Sequence, residues 1–154
     1  MPLHTATSLQ IMGMKGEGYI DDNCWIVKAH HPMYVPMTTS FKANKVFMCV
    51  RNPLDVFPSY AAFANTFSHG NKPDFDILAE FPEWWTWWVK RQTQVMKRYF
   101  EIIRNDCITQ GGNPLYMVRY EDLVLAPKET MMGLFSFLLG EKDITGTNAE
   151  RRID

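Results

Sequence analysis

A switch from strand-type to helix-type sequence at Arg51 constrains the fold of this chain more than any other feature. Residues 46–50 (VFMCV) form a short apolar run rich in β-branched and aromatic side chains, which is typical of a strand covered on both faces. In residues 52–67, Pro53 suits a first helical turn and apolar side chains recur at near-helical spacing. Pro58 complicates this helix because it removes one backbone donor. The segment therefore predicts a buried strand, a short turn and a helix.

Further strand and helix patterns flank this segment. Residues 24–28 (CWIVK) predict another strand, and residues 115–119 (LYMVR) predict a weaker third one. Residues 82–105 predict a long helix, and residues 127–139 predict a last helix with Gly140 as its C-terminal stop. This order of elements favours an α/β fold, in which helical crossovers connect the strands of a partly parallel sheet.

The composition favours one packed domain over residues 1–154, with residues 1–20 as a poorly defined N-terminal segment. The chain is 46% hydrophobic and 14% aromatic, which is enough apolar material for one core. Its formal net charge is −1, so it has no global field that would attract nucleic acid or an anionic membrane. Any anion site must therefore be local.

Cysteine spacing, histidine spacing and hydropathy bear on location and metal content. Cys24, Cys49 and Cys107 are odd in number and far apart, which fits neither a disulfide framework nor a zinc site. No apolar run approaches the ~18 residues of a spanning helix, and no export signal is visible. Adjacent His30 and His31 lack the further ligands of a metal site. We therefore expect a reduced, cytoplasmic protein without a transmembrane segment and without a metal.

Arg51 and Ser59 are the first candidate ligand-binding residues. Ligands of open α/β sheets bind beyond the carboxyl ends of the strands, where Arg51 lies, and Ser59 follows eight residues later. A guanidinium grips phosphate through two charge-assisted hydrogen bonds, and a hydroxyl and the free N–H groups of a helix start can complete the cradle. These residue types suit a phosphomonoester. Alternatively, Arg51 caps the helix or pairs with Asp55, and Ser59 is simply a small helix residue.

Three motifs, in order along the chain, resemble those of the sulfotransferase family. RNPLDVFPS resembles the motif whose Arg and Ser bind the 3′-phosphate of 3′-phosphoadenosine 5′-phosphosulfate, which implies this role for Arg51 and Ser59. WIVKAHHP resembles the strand that ends in K-T-H-x-P, which implies that His30 is the catalytic base and that Lys28 stabilises the transferring sulfuryl group. YMVRYEDLVLAP resembles the segment with Y-E-D-L-x-x-x-P, which implies that Tyr120 contacts the adenine or the nearby cofactor surface.

The choice of His30 over His31 also follows from strand geometry. Side chains alternate along a strand, so Lys28 and His30 would project to the same face. An imidazole with a reference pKa of ~6.5 suits proton removal, and an ammonium group suits charge stabilisation. The sequence departs from the family motif at Ala29, which replaces the usual Thr. Alternatively, the histidine pair only hydrogen-bonds backbone groups.

Two other segments are interpreted mainly as structural. Around Tyr120, we expect Asp122 or a neighbouring residue to cap a turn and Pro127 to open a helix. Trp84 and Trp88 share one helix face by their i,i+4 spacing, and packing is favoured over an acceptor pocket or a partner contact for the tryptophan cluster. The members of this cluster are Trp84, Trp85, Trp87 and Trp88.

The resemblance implies a fold related to the P-loop nucleotide kinases. It also implies sulfuryl transfer to a hydroxyl or amine of a small-molecule, carbohydrate or protein acceptor, without a metal. Segments resembling T-Y-P-K-S-G-T-T-W and R-K-G-x-x-G-D-W are missing, which predicts a partial domain. The alternative function is a catalytically inactive nucleotide-binding or protein-interaction module. A homo-oligomer stays open, as does the Golgi lumen if a longer chain carries an anchor.

Overall fold

The computed structural model describes residues 3–11, 13, 18–21, 23–29, 38–66, 68, 70–71, 73, 76–105 and 112–153. The chain divides into two compact units, Met1–Val46 with Tyr99–Leu115, and Phe47–Arg98 with Tyr116–Asp154. The single domain over residues 1–154 stays a prediction. Among the helices in the described ranges, none is long and apolar enough to cross a lipid bilayer.

The strands and helices largely follow the sequence pattern. The strands are β1 (Leu3–Ala6), β2 (Thr38–Phe41), β3 (Val46–Val50) and β4 (Leu115–Arg119). The helices are α1 (Thr7–Ile11), α2 (Pro53–Thr66), α3 (Ile77–Glu80), α4 (Pro82–Ile103), α5 (Tyr120–Leu125), α6 (Pro127–Leu139) and α7 (Glu150–Ile153). The predicted positions of β3, β4, α2, α4 and α6 are confirmed, with α4 ending two residues early. The prediction that residues 46–50 are buried is wrong, because these side chains are half-buried and Cys49 is exposed.

In the first unit, β1 pairs with β2 in antiparallel register, from Leu3 opposite Phe41 to Ala6 opposite Thr38. The buried hydroxyl of Thr5 donates to the Lys28 carbonyl at 3.0 Å and accepts the Gly18 N–H at 3.0 Å. The predicted strand over 24–28 is wrong, because these residues form no regular element. The Thr5 side chain of β1 bonds to the backbone of residues 24–28 at Lys28, whereas the backbone of β1 pairs with β2.

The sheet formed by β3 and β4 is parallel. Near the start of both strands, the Val46 N–H donates to the Pro114 carbonyl at 2.8 Å. Just past the end of both strands, the Asn52 N–H donates to the Glu121 side chain at 2.7 Å. The chain passes from β3 to β4 through α2, α3 and α4. The partly parallel sheet and the helical crossover predicted from sequence are therefore confirmed.

Asn52 caps the start of α2, and Pro58 removes one hydrogen bond inside this helix. The Asn52 side-chain oxygen accepts the Leu54 N–H at 3.0 Å, and its carbonyl accepts the N–H groups of Asp55 and Val56 at 3.0 Å. Pro58 cannot donate to the Leu54 carbonyl one turn earlier. The proline is accommodated near the start of the helix, at an exposed position.

Gly140 ends α6 as the sequence predicts. Its φ of 78° is left-handed, a conformation that costs glycine little. The Gly140 N–H donates to the Phe137 carbonyl at 3.2 Å, and the Glu141 N–H donates to the Ser136 carbonyl at 3.1 Å. These two bonds form a Schellman motif, which satisfies the last carbonyls of the helix.

The second unit packs around a small apolar core and one aromatic pair. Its buried side chains come from α2, β4, α6 and the segment after α6, and they are Phe57, Ala61, Val118, Leu134 and Ile144. The Tyr116 ring of β4 stacks on Phe137 of α6, with the ring centroids 5.2 Å apart. This stacking places the Tyr116 hydroxyl over Gly133, where a Cβ would lie 2.6 Å from it.

Gly133→Ala is therefore expected to lower the free energy of unfolding by ~1–3 kcal/mol, although alanine favours helices more than glycine does. In a Tyr116→Phe background the same change should be neutral or stabilising, because the nearest ring atom would then be 3.7 Å from the new methyl group. Urea denaturation of the four proteins measures this difference. An equal loss in both backgrounds would show that the hydroxyl contact is not the cause.

Candidate nucleotide site at the ends of β3 and β4

Arg51 and Tyr120 meet where β3 and β4 end side by side. Arg51 follows the last residue of β3, and Tyr120 follows the last residue of β4. The Arg51 guanidinium carbon lies 4.6 Å from the centroid of the Tyr120 ring, within the range of a cation–π contact. Both side chains are exposed, Tyr120 by 47%. The structure therefore joins two of the residues that the sequence singled out separately.

Glu121 makes a second link between the two strand ends, one residue further along each. Its carboxylate accepts the Asn52 N–H at 2.7 Å, across 69 residues of sequence. Sequence reasoning missed Glu121 as a site residue. The sequence feature that could have indicated Glu121 is its position directly after Tyr120. If β3 and β4 are parallel and Arg51 lies beside Tyr120, the next residues, Asn52 and Glu121, also lie side by side.

Positive charges surround the Glu121 carboxylate. The Arg119 Nε lies 3.9 Å from one carboxylate oxygen, and Arg119 also lies 3.6 Å from the Asp122 carboxylate. The pKa of Glu121 is lowered, first by the hydrogen bond from Asn52, then by one from its own backbone, and further by the charges of Arg119 and Arg51. Glu121 is therefore ionised at neutral pH.

This lowered pKa predicts a pH-dependent contribution of Glu121 to stability. A carboxyl whose pKa is lower in the folded than in the unfolded protein stabilises the fold above the unfolded pKa of ~4.3. That stabilisation is lost as the pH falls through the folded-state value. Glu121→Gln should therefore be less stable than the wild type at pH 7 and equally stable at the acidic limit. Urea denaturation across this pH range measures the difference, and a gap that does not change with pH would contradict the assignment.

The helix start offers fewer free donors than the sequence suggested. The N–H groups of Leu54, Asp55 and Val56 already bond to Asn52, and the N–H of Asn52 bonds to Glu121. Pro53 has no N–H to donate. These N–H groups are therefore not free in the structure, and their part in a phosphate cradle stays a prediction.

Ser59 lies in the second turn of α2 and is exposed. It belongs to the same unit as Arg51 and Tyr120. Its role in phosphate binding stays a prediction, as does the alternative that it is simply a small helix residue.

The structure describes only one member of the predicted catalytic pair, Lys28. Lys28 lies in the first unit, with its side chain exposed and its carbonyl bound to the Thr5 hydroxyl. His30 and His31 lie outside the described residues. Because residues 24–28 form no strand, alternation of side chains no longer supports His30 over His31. That choice rests on the motif resemblance and stays a prediction.

The tryptophan cluster on α4 has both packed and exposed members. Trp84 stacks on Trp88 with ring centroids 5.2 Å apart, and Tyr60 of α2 lies 5.3 Å from Trp88. Trp87 is 58% exposed. The aromatic contacts agree with packing for Trp84 and Trp88, which share one helix face as their spacing indicates.

Comparison with protein families decides what kind of domain this is. The sulfotransferase domain model matches residues 21–151, a range that includes every candidate site residue. The chain belongs to the sulfotransferase domain family. This match confirms the family resemblance and the α/β class of the fold. No curated protein and no solved structure gives a significant match to this sulfotransferase chain.

The residues predicted for the site carry cationic, imidazole, hydroxyl and phenol groups, and none of them is a carboxylate or a thiol. Among the residues that the structure describes, no group of three or more His, Cys, Asp or Glu side chains could hold a metal ion. The expectation that the reaction uses no metal stays a prediction.

Proposed function

We propose that this chain binds 3′-phosphoadenosine 5′-phosphosulfate and transfers its sulfuryl group to a hydroxyl or amine acceptor. The family match supports sulfuryl transfer in general. The contact between Arg51 and Tyr120 carries the proposal for the nucleotide, because it places a fixed cation beside an exposed aromatic ring. Such a pair offers one group for a phosphate and one for a base or its surroundings.

Arg51 would hold the 3′-phosphate. A guanidinium over an aromatic ring can still offer N–H groups for a bidentate bond to phosphate. The exposure of Arg51 supports this role, since a ligand can reach the group. Ser59 would donate its hydroxyl to the same phosphate, and Tyr120 would contact the adenine or the surface next to it.

Transfer would use the predicted pair His30 and Lys28. The imidazole of His30 would take the proton of the acceptor as the acceptor oxygen or nitrogen bonds to sulfur. The bond from sulfur to the bridging phosphate oxygen would break, and adenosine 3′,5′-bisphosphate would leave. Lys28 would stabilise the negative charge that grows on the bridging oxygen. The acceptor belongs to the proposed class of small molecules, carbohydrates or proteins.

Calorimetric titration with adenosine 3′,5′-bisphosphate tests the donor site, and AMP is the control that lacks the 3′-phosphate. We expect saturable binding of the bisphosphate and much weaker binding of AMP. Equal affinity for both nucleotides, or no heat of binding in a folded chain, would overturn the proposal. Product formation from the sulfate donor and a panel of acceptors then distinguishes a working enzyme from a module that only binds the nucleotide.

A further inference from the structure

Glu121 bonds to the backbone at the point where Arg51 leaves β3. Its carboxylate accepts the N–H of Asn52, the residue directly after Arg51. Asn52 in turn caps α2 with its own side chain at 3.0 Å from the Leu54 nitrogen. One carboxylate therefore fixes both the end of β3 and the start of α2.

The charge on Glu121 strengthens this link. A hydrogen bond to an ionised acceptor is roughly twice as strong as one between neutral groups. The Arg119 Nε on β4 lies 3.9 Å from the second carboxylate oxygen and forms a long, largely exposed ion pair with it. The lowered pKa of Glu121 supports an ionised carboxylate at neutral pH.

We propose that Glu121 is a positioning residue for the nucleotide site, which holds Arg51 against Tyr120 through the backbone of Asn52. This inference rests on the proposed function. A carboxylate repels a phosphate, so Glu121 acts on the nucleotide through Arg51 and not by contact. Removal of the Glu121 charge has two opposite effects on nucleotide affinity. Loss of the positioning of Arg51 weakens binding, whereas loss of the repulsion between carboxylate and phosphate strengthens it.

The test compares the affinities of wild type and Glu121→Gln for adenosine 3′,5′-bisphosphate by calorimetry. Glu129→Gln is the matched control, because it removes the same charge from an exposed position in the first turn of α6. We expect Glu121→Gln to weaken binding about tenfold, because the amide oxygen can still accept the Asn52 N–H but lacks the charge that strengthens this hydrogen bond. The control should change affinity less than about twofold.

A second comparison in an Arg51→Ala background separates positioning from a general loss of structure. If Glu121 acts through Arg51, Glu121→Gln should change affinity less than about twofold once Arg51 is absent. Weakening by the same factor in both backgrounds would overturn the proposal in favour of a structural role. Unchanged or tighter binding by the single variant would also overturn it.

Further controls distinguish failure of the proposed function from failure of the positioning role. If Glu121→Gln does not fold, Glu121→Asp replaces it, because that variant keeps the charge but shortens the side chain by one methylene group. It should also weaken binding, and wild-type affinity would count against positioning. If the wild type itself binds no bisphosphate, the proposed function fails and the nucleotide role of Glu121 fails with it. Binding by the wild type with no effect of Glu121 overturns the positioning role alone.

Discussion

Arg51→Ala is expected to weaken binding of adenosine 3′,5′-bisphosphate about 30- to 150-fold, which corresponds to ~2–3 kcal/mol. The variant removes a bidentate, charge-assisted contact to the 3′-phosphate and leaves Tyr120 without its cation. Calorimetric titration at fixed ionic strength measures the loss, since exposed charges are sensitive to salt. AMP affinity should change much less, because AMP has no 3′-phosphate to lose.

Matched variants decide whether the guanidinium itself matters. Arg91→Ala removes the same charge from an exposed position on α4 and should leave affinity nearly unchanged. Arg51→Lys keeps the charge but not the planar fork, so we expect an intermediate affinity. A folded Arg51→Ala protein with wild-type affinity would reject Arg51 as the phosphate ligand.

His30→Ala is expected to lower the rate of sulfuryl transfer by ~10²–10⁴-fold, the usual contribution of general acid–base catalysis. Donor affinity should stay unchanged, because the base acts on the acceptor proton and not on the nucleotide. The rate of sulfated product formation at saturating donor measures the first effect, and calorimetry measures the second. His31→Ala is the control and should affect transfer far less. The reverse ranking of the two variants would show that His31 is the base.

Sequence patterns correctly predicted the positions of the strands and helices that carry the candidate site. The runs that became β3 and β4 could be recognised because they are short and rich in β-branched and aromatic side chains. Pro127 and Gly140 bounded α6 correctly, because proline suits a helix start and glycine suits a left-handed end. Pro53 likewise marked the start of α2. These signals depend on a few neighbouring residues and need no tertiary information.

Elements that depend on distant partners were not predictable in the same way. The run at 24–28 has strand-type side chains, yet the backbone at Lys28 bonds to a Thr5 side chain on β1. The strands β1 and β2 (LHTA and TTSF) are four residues long and largely polar, so neither carries a clear apolar alternation. Pairing between them supplies the stability that their sequences do not indicate.

The chemistry of the site was predicted residue by residue but not as an arrangement. Arg51 was identified from its place after a strand, and Tyr120 from a motif, whereas their contact depends on the register between β3 and β4. The same register gives Glu121 its hydrogen bond to Asn52. Asn52 also accepts hydrogen bonds from the N–H groups at the start of α2, which were expected to be free for a phosphate. Register between distant strands is a tertiary property, which local sequence rules do not contain.

The central claim is that the nucleotide site lies where β3 and β4 end. Titration of the isotope-labelled chain with adenosine 3′,5′-bisphosphate, followed by two-dimensional NMR of the backbone amides, tests it most directly. We predict saturable shift changes concentrated at Arg51, Asn52, Ser59 and Tyr120, and much smaller changes with AMP. Absence of shift changes at high nucleotide concentration, or changes confined to residues away from these strand ends, would contradict the claim.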